Sequence, residues 1–462
     1  MLKRFNVKNV YSFAAKADGQ SEEFSMIAGR VRGKKDHIYD DGKLKLLKFA
    51  AIYGANASGK SNLVKAMDLM RRIVLGGLPD GHTEKYCKVV PENKNKPSYF
   101  EIEIVLGEKY YAYGFEVILS QSRFISEWLV ELNADNTEKE IFTRNVEEGT
   151  YKFGGDLNKK GLKERLEVYA DDISDNDSVL FLTIMNQNKK NVYSKYKSAM
   201  ALNGVYMWIR DSFAIIYPDQ PLSMYEYLSK AEQTDEICKL ISAFGTGITD
   251  FEIVNVDIEQ ILSRLVLPVQ KDVIRRIEEQ QAILRQSKNV RSINLAMRSR
   301  DNFFIITLSS DDSIECRTIE FTHGKKGALF ALNEESDGTV RILDLLEILI
   351  AGEGKTYVID ELDRCLHPML SYKFVETFFK LAESKSIQMI VTTHESRLMD
   401  FDLLRRDEIW FVDKKESGES DIYSLEEYNA RFDQKIDKAY MDGRYGGVPI
   451  FSTIFPIMEG DS

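Results

Sequence analysis

The sequence predicts an α/β fold whose sheet-forming framework is split by a long mixed α and β insertion carrying a short helical projection. Three observations predict it. An apolar run, LKLLKFAAIY, leads into a glycine-rich loop; a second, TYVID, ends in acids; a third, IQMIVTTH, ends in a histidine. Short apolar runs bounded by turn or polar residues read as buried strands, and helical periodicity follows the first and precedes the second.

Size and composition set the outer limits. The 462 residues suffice for two or three domains, and 44% hydrophobic and 29% charged residues fall in the ordinary globular range. No run of eighteen apolar residues occurs, and the opening MLKRFNVKNVYSFAAK places polar groups where a secretory signal needs a continuous apolar stretch. A cytoplasmic location without membrane contact is therefore expected. Cys87, Cys238, Cys316 and Cys365 lie far apart, at neither metal-binding nor redox spacing, and are expected to be reduced. The net charge of -11 excludes a chain coated in nucleic-acid-binding charge and leaves room only for a local basic face.

The first strand leads into Gly54, Ala55, Asn56, Ala57, Ser58, Gly59, Lys60, Ser61 and Asn62, which fit G-x-x-x-x-G-K-[ST]. Such a pattern arises by chance in roughly one or two chains of this length per hundred, so a chance match is a weak rival. The following SNLVKAMDLMRRIVL sets Leu63, Met67, Met70 and Val74 on one helical face. Glycines let backbone N–H groups close around phosphate oxygens, and the helix N-terminus adds partial positive charge. Lys60 is expected to reach the β and γ phosphates of ATP, and Ser61 to bind Mg²⁺.

A phosphate loop of this kind needs an acid at a neighbouring strand end. Val358 and Ile359 precede Asp360 and Glu361. Asp360 is expected to hold Mg²⁺ and Glu361 to polarise the attacking water, the positioning role of a phosphoryl-transfer base. The third strand ends in Thr392, Thr393 and His394, 33 residues past Glu361. A histidine there reaches ligands bound at the sheet's carboxyl edge. Ser336, Asp337, Gly338 and Thr339 precede a helical pattern with Ile342, Leu345, Leu346 and Leu349 on one face. Those polar residues either cap that helix or meet a nucleotide.

In this order, the loop, the serine-glycine helix start, the acidic strand and the histidine strand resemble the ABC-type ATPases. The resemblance implies that Gly54 to Asn62 form the Walker A motif, Asp360 and Glu361 the Walker B motif, and His394 the switch histidine. It implies that Ser336, Asp337, Gly338 and Thr339 act in trans on ATP held by a second subunit, with Leu366, His367 and Pro368 at the D-loop. ESDGT stands where transporters carry LSGGQ, and neither Gln121 nor Gln187 is placed decisively enough to be the Q-loop residue.

The phrases GANASGKSNL, ESDGTVRILDL, DELDRCLHP, TTHES and YMDGRYGGVPIF resemble the abortive-infection, OLD-like branch of that family, related to SMC and RecF and including RloA/AbiL-like and PARIS (AriA) phage-defence ATPases. This implies a homodimer closing on ATP and Mg²⁺, possible higher oligomers, a separate nuclease-like (TOPRIM-type) effector, and a phage-derived trigger, protein or nucleic acid. Only 68 residues follow His394, so a fused nuclease is not expected. The alternative is a RecF- or SMC-like DNA-repair ATPase.

Ser336 lies 276 residues beyond Lys60, which disfavours a compact transporter head. The expected divisions are an N-terminal lobe at 1–165, a mostly helical insertion at 166–300, a C-terminal lobe at 301–425 and a tail at 426–462. Strand patterns such as SYFEIEIVL, YYAYGFEVI and FFIITLSS limit any helical projection to a short one. Residues 271–300 carry eight Lys or Arg against three acids, and NKKNVYSKYK at 188–197 is also basic. These are either solvated faces or salt-bridge partners, or surfaces for nucleic acid or an acidic protein, with Tyr193 and Tyr196 available for stacking. In the tail, Gly443, Gly446 and Gly447 surround Arg444 in a tight turn that packs on the ATPase lobe or meets a partner or nucleotide.

Overall fold

The computed structural model describes all residues except 32, 134–136, 174–175, 188, 221–227, 229–233, 264, 287–289, 299–301, 325–326, 351–352, 429–435 and 449–462. Lys288, Arg300 and Pro449, which figure in the basic stretch and the tail motif, lie outside the described residues. The chain divides into two compact units. One takes Met1–Ile215, Gly352–Leu362 and Phe379–Ser462; the other takes Ile216–Ala351 and Asp363–Phe378.

At the centre of the first unit a sheet runs in the order Phe213–Ile216, Thr356–Ile359, Gln388–Thr392, Phe49–Tyr53, Ile409–Lys414, Ser420–Ser424. Its middle strands are parallel: Thr356–Ile359 pairs with Gln388–Thr392, which pairs with Phe49–Tyr53, which pairs with Ile409–Lys414. All residues of the first three of these are buried, as expected of parallel strands covered on both faces. The three strands identified by their apolar runs are thus adjacent, and their carboxyl ends share one edge.

A second, seven-stranded sheet of this unit has the order Thr150–Phe153, Glu138–Asn145, Arg123–Leu132, Lys109–Ile118, Ser98–Leu106, Leu2–Lys8, Glu22–Ser25, with antiparallel neighbours. The two sheets are pinned by Gln388, whose amide donates to the carbonyls of Leu2 (2.9 Å) and Leu47 (3.0 Å) and whose oxygen accepts the Leu2 N–H. The Lys60–Gly76 helix buries Leu63, Met67, Met70 and Val74 as its periodicity requires, and also Val64, Ala66, Leu69 and Ile73. Part of the 166–300 stretch belongs here: Thr183 Oγ1 donates to the Val74 carbonyl at 2.7 Å, and Arg71 reaches the Ile209 carbonyl at 3.1 Å.

The second unit is built on a sheet ordered Ile248–Asn255, Ile314–His323, Phe303–Ser309, Ser292–Arg298, with Leu329–Ala331 paired to Ile314–His323. The Leu267–Gln286 helix lies on it, burying Val273, Ile277 and Leu284 against Phe304, Ile306, Leu308 and Cys316. Each such side chain contributes about 1.5–3 kcal/mol when fully buried, which fixes the helix on the sheet. At 20 residues this helix is about 30 Å long. The helical part of the insertion is therefore short, and the insertion mixes helices with strands. Among the described residues no helix is long and apolar enough to cross a membrane.

Candidate functional site

The carboxyl edge of the parallel sheet collects the phosphate loop, the acid pair and the histidine strand in one unit. The loop's conformation is set by residues with unusual backbones. Ala57 has φ 65° and Gly59 φ 121°, and a Cβ on Gly59 would fall 2.4 Å from Ser420 Oγ and 3.0 Å from Ser12 Oγ. Only glycine fits there, which explains the motif's second glycine physically.

Ser12 and Ser420, which the motifs did not single out, brace the loop. Asn62 Nδ2 donates to Ser12 Oγ at 2.9 Å, Ser12 and Ser420 Oγ are 2.8 Å apart, and Ser420 Oγ donates to the Ser58 carbonyl at 2.5 Å. A carbonyl only accepts, so the Ser420 proton goes to Ser58 and Ser12 supplies the proton of the middle bond. The chain of donors runs one way, from Asn62 to the loop.

Lys60 is buried, and its ammonium donates to the carbonyls of Gly54 (2.7 Å) and Ala55 (3.0 Å). Ser58 Oγ is buried with no hydrogen-bond partner among the described residues. The Lys60–Gly76 helix has no side-chain cap and no acid in its first turn, leaving its leading N–H groups for an anion. A buried cation, an orphaned hydroxyl and an uncapped N-terminus fit the phosphates of a nucleotide.

Across from the loop, Asp360 is buried and accepts from Ser61 Oγ (3.1 Å) and Thr392 Oγ1 (2.6 Å). Thr392 Oγ1 also accepts the Glu361 backbone N–H at 2.8 Å. Glu361 itself adopts φ 51°, a left-handed conformation that costs a non-glycine residue on the order of 1 kcal/mol and that recurs at functional sites. Ser61 and Asp360 present oxygen atoms of the kind Mg²⁺ takes, and a pair of protein oxygens suits an ion that completes its shell with phosphate and water. Among the described residues no group of three or more His, Cys, Asp or Glu is arranged to hold a metal. His394 stands exposed just past Thr393, whose N–H donates to the Ile52 carbonyl at 3.1 Å, tying the histidine strand's end to the phosphate strand.

In the second unit Ser336 caps the Asp337–Ile350 helix. Its Oγ accepts the Thr339 N–H at 3.1 Å and lies 2.9 Å from Thr339 Oγ1. Ser336 and Asp337 are exposed and Thr339 is buried. A Cβ on Gly338 would stand 2.9 Å from the Cys365 carbonyl, so a side chain there forces the following loop away. The capping role is thus built, and the exposed N-terminus stays open to a ligand.

Within the 271–300 stretch four arginines pair with acids of their own unit. Arg275 pairs with Asp272 and with Glu279 (2.7 Å), Arg276 with Asp272 (2.8 Å), and Arg285 with Asp312 (2.9 Å). Arg298 is turned inward to Asp344. The Tyr193 hydroxyl donates to the Met185 carbonyl (3.0 Å) and the Tyr196 hydroxyl to the Gly161 carbonyl (3.1 Å), so both rings serve the fold. In the tail, Arg444 is exposed while Tyr445 is buried.

This sheet order, with a phosphate loop after one strand and an acid pair on a nearby parallel strand, defines a P-loop ATPase head of the ABC type interrupted by a mixed insertion. The family described as "AAA domain, putative AbiEii toxin, Type IV TA system" matches residues 49–400, more than half of the chain, and the chain belongs to that family. No curated protein matches the sequence. Among solved structures it is similar to an SMC head bound to the C-winged helix domain of ScpA, at 12% identity over 92% of this chain and 97% of that one, with TM-score 0.36. It is similar also to the SMC head domain from Thermotoga maritima, at 14% identity over 92% and 98%, with TM-score 0.35. A third is an Smc head with an extended coiled coil bound to the C-terminal domain of ScpA derived from Pyrococcus furiosus, at 15% identity over 92% and 97%, TM-score 0.33.

Proposed function

We propose that the chain binds and hydrolyses ATP with Mg²⁺ at the loop 54–62, and that this reaction controls a separate effector in an anti-phage, abortive-infection system. The observation that carries the catalytic part is the Ser61–Asp360–Thr392–Glu361 hydrogen-bond chain, which ties the loop, the acid pair and the histidine strand into one constellation.

In this reading the phosphates of ATP lie against the N–H groups of 54–61 and the Lys60 ammonium. Mg²⁺, held by Ser61 and Asp360, supplies charge neutralisation on the phosphate oxygens. Glu361 orients the water that attacks the γ phosphate, and His394, at the adjacent strand end, senses or contacts that phosphate. Thr392 fixes the carboxylate of Asp360 and the backbone of Glu361, so both acids are pre-set rather than recruited. Ser336, Asp337, Gly338 and Thr339 complete the site of a second copy in a head-to-head dimer, which can build into a larger oligomer.

The defence role is supported by the family's description, which names an abortive-infection toxin and a toxin–antitoxin system, and by the RloA/AbiL- and PARIS-like wording of the motifs. ATP closure then assembles a complex that holds a nuclease-like effector, and a phage-derived trigger changes that state in the cytoplasm. Purification of the chain with the product of its neighbouring gene tests this: an ATP-dependent complex is expected, and a head that never associates with it contradicts the reading. The DNA-repair alternative loses ground because four arginines of its basic stretch are paired with acids.

A further inference from the structure

The tail motif DGRYGGVP plays no part in the reading above, yet its glycines lie against the phosphate loop. The Tyr440 hydroxyl, on the Ile436–Met441 helix, donates to the Gly447 carbonyl at 2.9 Å. That bond holds the tail turn beside the first glycine of the loop. Gly447 comes so close that a Cβ on it would stand 3.3 Å from Gly54 Cα. Gly446 and Gly447 have φ of 70° and 67°, and a Cβ on Gly446 would fall 2.6 Å from the Tyr423 hydroxyl and 2.9 Å from Asp413 Oδ2. Neither position admits a side chain without displacing the turn.

The turn rests on a seat of aromatic rings that belongs to the phosphate strand and its neighbour. Tyr440 stacks on Phe411 with centroids 5.6 Å apart and lies 6.0 Å from Tyr53, the residue just before Gly54. Tyr445 stacks on Phe411 at 6.0 Å, and the Tyr423 hydroxyl donates to the Tyr445 carbonyl at 2.7 Å. Buried rings held on neighbouring strands are a stiff support, because their rotamers are fixed by packing. A seat of this kind passes little motion of its own to the loop it holds.

We infer that Tyr440 and the Gly446–Gly447 turn are positioning residues for the phosphate loop: the turn, held by Tyr440, packs against Gly54, so that tail docking and nucleotide binding strengthen each other. The inference rests on the reading of 54–62 as an ATP site. Its physical content is reciprocity: whatever the docked tail adds to ATP affinity, bound ATP adds to tail docking.

The test uses the full chain and three substitutions. Tyr440→Phe keeps the ring and removes the bond that holds the Gly447 carbonyl; Gly447→Ala presses on Gly54; Tyr445→Phe is the control, since that hydroxyl has no hydrogen-bond partner among the described residues. In nucleotide-free protein, amide exchange across 54–60 is expected to quicken about tenfold in Tyr440→Phe, as the loss of one buried hydrogen bond implies. ATP affinity should fall about five- to tenfold, with the turnover number at saturating ATP within about twofold of wild type and a melting temperature lowered by only about a few degrees. ATP should slow exchange at 436–447 in wild type and less in Tyr440→Phe, while Tyr445→Phe matches wild type throughout. Wild-type exchange and affinity in Tyr440→Phe overturn the inference and leave the ATP site standing. Failure of the wild type to bind ATP overturns the site reading instead, and the exchange at 54–60 still decides whether the turn backs the loop. If Gly447→Ala does not fold, Tyr440→Phe alone carries the decision.

Discussion

Thr392 Oγ1 lies 2.6 Å from Asp360 Oδ1, across the pairing of two parallel strands. The same hydroxyl takes the Glu361 N–H at 2.8 Å, so one side chain orients both acids. Thr392→Val keeps the shape and removes that hydroxyl, leaving a buried N–H and one carboxylate oxygen short of a partner. We expect roughly 1–3 kcal/mol of lost stability and a fall in ATP turnover on the order of tenfold, with ATP affinity nearly unchanged. Denaturant unfolding and steady-state phosphate release check the two parts.

Ser420→Ala breaks the donor chain that ends on the Ser58 carbonyl. A neutral hydrogen bond contributes about 1 kcal/mol, so ATP should bind about fivefold more weakly, and turnover at saturation should hold. Equilibrium titration with ATP gives the answer directly.

Glu22 is buried beside Lys16 and Asp421, and burial raises its pKa to about 7 against an ordinary 4.5. The folded state therefore holds this proton more tightly than the unfolded state does. Its contribution to stability is fully present below about pH 4.5, the unfolded value, and is lost as pH rises through about 7. Glu22→Gln keeps the acceptor for the Ile422 N–H, which reaches Glu22 at 3.1 Å, and removes the titration. At pH 8 the variant should be more stable than wild type by on the order of 1 kcal/mol, the difference shrinking towards pH 5. Melting temperatures across that range measure it.

Much of this arrangement was legible in the sequence because parallel strands covered on both faces must be continuously apolar. FAAIY, TYVI and QMIVT stood out for that reason, and the polar residues closing each run marked the sheet edge. The fold class followed from the same stretches. Ser12, Ser420 and Tyr440 were not legible. Each reaches the loop from a distant part of the chain, Ser420 across 362 residues, and a lone serine or tyrosine carries no periodicity. The glycines of the tail gave a partial signal, since a turn with Gly443, Gly446 and Gly447 pointed to a close backbone approach without saying to what. The charge count over 271–300 pointed to a basic face, but counting cannot see that Asp272, Glu279, Asp312 and Asp344 stand beside those arginines.

Those pairings give a further prediction. Arg275→Glu with Arg276→Glu should unbalance the helix surface and leave the ATPase insensitive to duplex DNA, as the wild type is expected to be. DNA stimulation of wild type that falls steeply with salt and vanishes in the double variant would restore the repair reading. Turnover with and without DNA, at two ionic strengths, decides it.

In the proposed reaction the loop 54–62 holds ATP while Glu361 orients the attacking water. ATP binding and phosphate release in wild type, Lys60→Ala and Glu361→Gln test it most directly. The account predicts Mg²⁺-dependent turnover in wild type, no measurable binding in Lys60→Ala, and in Glu361→Gln intact binding with turnover lowered on the order of a hundredfold. Unaltered turnover in Glu361→Gln, or full ATP binding in Lys60→Ala, would contradict it.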